Sequence, residues 1–264
     1  MTKQGILVSS ILLAAATTAQ ADVTVTTQTT GKMIIDVSGE GVTLFKGRHQ
    51  RTDNTIRGKS QTLIIDIDGR RFVDLDARKK SATVTTLDSI AEQLQKVGAG
   101  TLDAKLTKTA ATKTIAGHGC TVHDISVSLP FSPTGNPGDG MDLTMTLAGT
   151  VCLATDVPGL ADYQTFYRAA ADSGFIFGDP RGAKSPTGAA QAKAYAALTR
   201  KMAEAGMALE SNVNINAGGS GPMAGMMAKL AKGNIVTTVT KIEAGDIPAA
   251  SFEIPSDYKV KTAK

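Results

Sequence analysis

The residues of this 264-residue chain best suited to metal or redox chemistry are two cysteines and three histidines. His118, Cys120 and His123 stand close together, Cys152 lies further on, and His49 stands alone. A tetrahedral metal site needs four converging ligands. In an extended strand His118 and Cys120 share a face while His123 points the other way. That cluster offers two ligands at most, so no metal is expected. Asp66, Asp68, Asp74 and Asp76 crowd a hairpin. They read as solvated turn carboxylates, with weak calcium binding as the sharper alternative. No acid–base pair emerges, so no catalytic residue and no cofactor are expected.

The glycine-rich strings fail when spelled out. Gly58-Lys59-Ser60 ends like a phosphate loop, but Asp53 stands where the first glycine belongs. Gly39 and Gly41 are followed by Leu44 in place of a dinucleotide loop's third glycine. Pro222 replaces the last glycine of a nucleophile elbow around Ser220. These glycines read as turns.

What the cysteines can do is bond to each other. One strand face carries Cys120, Val122 and Asp124, the other Thr121, His123, Ile125, Val127 and Leu129. In the partner strand Met141, Leu143, Met145, Leu147 and Val151 share a face opposite to that of Cys152. Pairing Cys120 with Cys152 in antiparallel strands sets Ile125 against Leu147, Val127 against Met145 and Leu129 against Leu143. A slip by one residue would turn every apolar side chain to the wrong face. A disulfide closing a loop of this length contributes roughly 3–4 kcal/mol, and it implies an oxidising compartment.

The start of the chain agrees with that compartment. Residues 1–21 read as a cleaved secretory signal, with Lys3, an apolar stretch over residues 5–16 and Ala19-Gln20-Ala21 as a small-x-small site. The apolar stretch is shorter than the ~20 residues a membrane span needs, which disfavours the rival reading as an uncleaved anchor. The expectation is a periplasmic protein without a transmembrane span, its residues 22–264 forming one domain. Aromatic residues make up 4% of the chain and tryptophan is absent, so a stacking platform for nucleic acid is not expected. The net charge of +4 is spread over turns such as Arg78-Lys79-Lys80, which read as solvated.

Period-two patterning predicts strands over residues 23–28, 32–37 and 41–47, with a turn at Ser38-Gly39-Glu40. Strands over 61–66 and 71–76 flank a tight turn at Asp68-Gly69. Residues 47–59 fit a strand or a mobile loop. The period changes to that of a helix at Leu87, Ile90, Ala91, Leu94 and Val97, and strand period resumes over 102–109. Helices are predicted over 158–172 and 189–205, with a loop over 174–188 between them. A strand follows over 207–216. Met223, Met226, Met227 and Leu230 then form a helical stripe, a core face first and a methionine-rich binding surface second. Strands over 234–243 and 251–254 complete the pattern, with a frayed lysine-rich tail.

Many antiparallel strands with helices in the second half argue an α+β fold, a strongly curved sheet covered by helices. A two-sheet sandwich leaves the helical stripes without a partner.

A set of short strings supports the same architecture. Gly31-Lys32-Met33-Ile34-Ile35-Asp36, Phe72-Val73-Asp74-Leu75-Asp76, His118-Gly119-Cys120-Thr121-Val122-His123, Val151-Cys152-Leu153 and Phe252-Glu253-Ile254-Pro255 resemble an uncharacterised family of secreted bacterial domains. That family is similar in turn to the Lol-type lipoprotein-carrier superfamily. The resemblance implies a half-open β-barrel that wraps helices and shelters acyl chains. The chain departs from the pattern at Ala82-Thr83, where a tyrosine is more usual, and no site residue is carried over.

The resulting expectation is a non-enzymatic protein with a lipid or acyl-chain ligand. Ile65, Leu143, Met145 and Leu209 would floor the cavity, and Phe166, Leu198 and Met226 would cover it. The alternative is a structural or protein-interaction module whose barrel is filled by its own side chains.

Overall fold

The computed structural model describes residues 22–33, 35–86, 88, 104–131, 143–173, 186–219, 225, 226, 228 and 232–263. The helix predicted from Leu87 and most of the methionine stripe fall outside them, as do residues 1–21 and most of the loop at 174–188.

The first half of the chain is a meander of β1 (Val23–Lys32), β2 (Asp36–Lys46), β3 (His49–Ile56), β4 (Lys59–Asp66), β5 (Arg71–Asp76) and β6 (Ser81–Thr86). Then come β7 (Ala104–Ile115), β8 (His118–Phe131) and β9 (Leu143–Ala154). Helices α1 (Leu160–Asp172) and α2 (Pro186–Ala205) precede β10 (Met207–Gly219), β11 (Gly233–Ala244) and β12 (Lys259–Thr262). The twelve described strands join one open sheet in the order β12-β6-β5-β4-β3-β2-β1-β11-β10-β9-β8-β7. Among the described strands only β12 runs parallel to its neighbour.

Turn chemistry explains several strand ends. Arg57 and Gly58 both have positive φ, as do Ala116 and Gly117, and each pair makes a two-residue hairpin loop whose twist suits the flanking strands. Residues 47–59 are therefore strand β3 between turns. The turn expected at Ser38–Glu40 lies instead around Met33 and Ile35, because Gly39 and Gly41 sit inside β2. A Cβ on Gly39 would come 2.5 Å from the Thr55 carbonyl oxygen, so that glycine permits close strand approach and makes no turn.

At the other expected turn, Asp66 accepts the Gly69 N–H at 2.7 Å and the Arg71 Nε–H at 2.9 Å. Burial opposes the charged form of Asp66. The Gly69 N–H, Arg71 and His49 outweigh it and hold the carboxyl below its ordinary value.

The end of the chain differs from expectation. Residues 249–252 form a 3-10 turn and Lys259–Thr262 is an ordered edge strand. The segment has a packing role: Ile247 and Phe252 bury against Ile64, Val73, Leu75 and Ala82. Those residues lie on the sheet face opposite to Phe45, Ile65 and Phe72. Asp22 accepts the Ile247 N–H at 2.8 Å, tying this cover to the start of β1.

Two further clusters flank the helices. Under α1, Phe45 meets Tyr163, Phe166 and Tyr167 with ring centroids 5.4–5.6 Å apart, among Val23, Leu209 and Met207. Under α2, Leu198 and Ala194 pack on Ile125, Val127, Val151 and Leu153. Four consecutive residues of β9, Val151 to Ala154, are each no more than 2% exposed. Successive side chains alternate faces, so β9 is buried on both sides here. Cys152 and Ala154 join the α1 cluster while Val151 and Leu153 join the α2 cluster.

Candidate functional site

The cysteines are bonded, with the Cα atoms 5.4 Å apart. The register is displaced by two residues from expectation: Val122 lies opposite Cys152, Val127 opposite Leu147 and Leu129 opposite Met145. A shift of two preserves every face, so the apolar side chains keep their side of the sheet while the bond becomes diagonal.

The apolar wall follows from this register. Leu147 pairs with Ile215, Met145 with Ala217, and Val213 with both Gly149 and Ile235. All lie on the face that carries Val151. Glycine is required at 149, where a Cβ would fall 1.9 Å from the Asn212 carbonyl oxygen. Met145, Leu147, Val213, Ile215 and Ile235 are half-buried, in contrast to the closed core around Phe45. Tyr195 and Met202 of α2 flank Met145, Leu147 and Val213 in one cluster.

The seven expected cavity residues divide between two places. Ile65, Phe166 and Leu209 meet in the α1 cluster, where Phe166 and Leu209 are fully buried. Met145 and Leu198 meet in the α2 cluster. Leu143 starts β9, paired with Gly219 and Phe131. Met226 is 48% exposed. The structure adds Leu147, Val213 and Ile215 to the wall. Their alternation was legible in the sequence, but their pairing across strands was not.

No family model matches the chain, and no curated protein matches it. Solved structures do resemble it. An uncharacterized conserved protein from Thermus thermophilus is similar over 93% of this chain and 92% of its own, with 8% identity and a TM-score of 0.38. A LolA superfamily protein from Nitrosomonas europaea is similar over 89% of this chain and 91% of its own, with 8% identity and a TM-score of 0.28.

Three phenols pack at the helices. Burial pushes the Tyr163 hydroxyl up to about 12 and raises Tyr167 and Tyr195 as well. The Gln50 side-chain amide donates to the Tyr167 oxygen at 3.3 Å. Such phenols stay neutral at any physiological pH and serve as packing. Among the described residues no three His, Cys, Asp or Glu side chains converge on a metal position. No described helix is long and apolar enough to cross a membrane.

Proposed function

We propose that residues 22–264 form one non-enzymatic, carrier-like domain of an oxidising envelope compartment, exported after cleavage at Ala21, that holds a lipid acyl chain. The sheet in this reading bends into a half-open barrel. The chain lies along the wall of Met145, Leu147, Val213 and Ile215, with Leu198 of α2 beside it. The observation that carries the reading is that this strip is apolar and only half-buried, whereas the core around Phe45 under α1 is closed. Removing an acyl chain from water there stabilises the complex by about 0.8 kcal/mol per buried methylene.

The filled aromatic cluster around Phe45 favours a second reading, an interaction module with a self-filled core. Native mass spectrometry and solvent extraction of protein purified without detergent separate the two. The carrier reading expects a co-purifying lipid that is lost in a folded Met145→Arg variant, because the new charge must be desolvated beside the chain. Protein that is empty and takes up no fluorescent fatty acid defeats that reading and leaves the interaction module.

A further inference from the structure

A second site lies away from the apolar wall, where the sheet ends at β7. The pairing of β7 with β8 is interrupted there: Lys108 opposes His123 and Thr112 opposes Thr121, so three β7 residues face Val122 alone. The irregularity is held by hydrogen bonds. Thr109 donates its hydroxyl to the Val122 carbonyl at 2.8 Å and accepts the Ala111 N–H at 3.2 Å. Bulges bend a strand and re-aim its side chains. This one opens a cleft of about 690 Å³ on the face that carries His123.

The lining is rich in donors. Lys108, Lys113, His123 and the hydroxyls of Thr112, Thr114 and Thr121 contribute to it, and no carboxylate does. Lys113 is committed to Glu210. Lys108 pairs with no carboxylate among the described residues. His123 is 7% exposed although it lines the cleft, and its Nδ1 lies 3.0 Å from the Thr121 carbonyl oxygen. A carbonyl only accepts, so Nδ1 carries a proton and Nε2 is left for other partners. Ala205 also lines the cleft. It ends α2, whose terminal carbonyls carry partial negative charge and disfavour an anion beside them, so the anion's partners are Lys108 and the threonine hydroxyls.

We propose that this cleft binds the phosphate group of a small phosphomonoester or of a lipid headgroup. Lys108 supplies the charge, Thr112 and Thr121 supply hydroxyl donors, and the His123 ring borders the anion. The volume exceeds that of a bare phosphate ion, and Leu153 and Ala205 offer an apolar corner for the attached body. The inference is independent of acyl binding at the Met145 wall.

Calorimetry of the full chain with glycerol 3-phosphate, and co-sedimentation with phosphatidylglycerol or phosphatidylcholine vesicles, test it. The variants are Lys108→Gln and, as a control, Lys259→Gln on the far edge strand. Both positions are exposed, so both variants should fold. Saturable binding of glycerol 3-phosphate, weakened about tenfold or more by K108Q and unchanged by K259Q, supports a soluble phosphomonoester. Binding confined to phosphatidylglycerol vesicles, with the same variant pattern, supports the headgroup. Absence of binding to both probes overturns the proposal, as does equal weakening by the two variants.

Discussion

Cys120 is bonded to Cys152 diagonally across β8 and β9, because the residue directly opposite Cys152 is Val122. The bond closes a sequence separation of 32 residues and is itself buried, with the two cysteines 5% and 2% exposed. It joins the α1 cluster at a point where the neighbouring residues Val151 and Leu153 belong to the α2 cluster. The staple therefore sits where two packing layers meet.

Replacing both cysteines by alanine should lower unfolding stability by roughly 3–4 kcal/mol, mainly by freeing the unfolded chain. Urea titration of the variant checks this, and alkylation of the unreduced, unfolded wild type should label no thiol. A double variant within 1 kcal/mol of wild type would count against the assigned role.

Phe45 is 2% exposed and touches three aromatic rings of α1. Phe45→Ala should cost about 3–5 kcal/mol, since it removes a large side chain from a site that cannot collapse. Thermal and urea unfolding measure the loss. A cost below 1 kcal/mol would indicate that space under α1 is free for a ligand after all.

Gly159 has φ 68° and caps the start of α1, and a Cβ there would stand 2.2 Å from the Val23 Cβ. Gly58 also has positive φ, at 72°, but faces open space. Gly58→Ala should cost on the order of 1 kcal/mol from backbone strain alone. Gly159→Ala should cost clearly more, because Val23 is fully buried and cannot move aside. Equal losses in the two variants would disprove the close approach of α1 to β1.

Asp66 has a folded-state pKa below its unfolded one, so its charged form stabilises the fold. That contribution is fully present above the unfolded value, near 3.8, and disappears as pH falls through the folded value. Asp66→Asn should therefore be less stable than wild type at neutral pH, and the gap should narrow below about pH 4. Stability curves of both proteins from pH 2 to 7 provide the check. A gap that stays constant across that range would show that geometry, and not charge, carries the effect.

Much of the fold was legible because strand and helix periods are local properties. Leu143, Met145, Leu147 and Val151 alternate with threonines and Cys152, so their common face follows from the chain's own geometry. The helices ending at Asp172 and Ala205 and the hairpin at Asp66–Arg71 follow from apolar spacing and turn residues in the same way. The cysteine pairing was equally readable, since both residues lie in strands of matching pattern.

Non-local relations decided the rest. Gly39 and Gly41 look like turn residues until Thr55 and Asn54 of the neighbouring strand crowd them. Nothing near Ile247 or Phe252 announces that they will cover Ile64 and Val73, because each segment alone only asks to be buried. The expected cavity residues separated into two clusters for a similar reason: an apolar face says what must leave water but not which element will meet it. The cleft at His123 depends on a bulge, and a register shift between Lys108 and Thr112 is set by pairing with a second strand. Burial preference is written residue by residue, whereas the partner that satisfies it is chosen only when the whole sheet assembles.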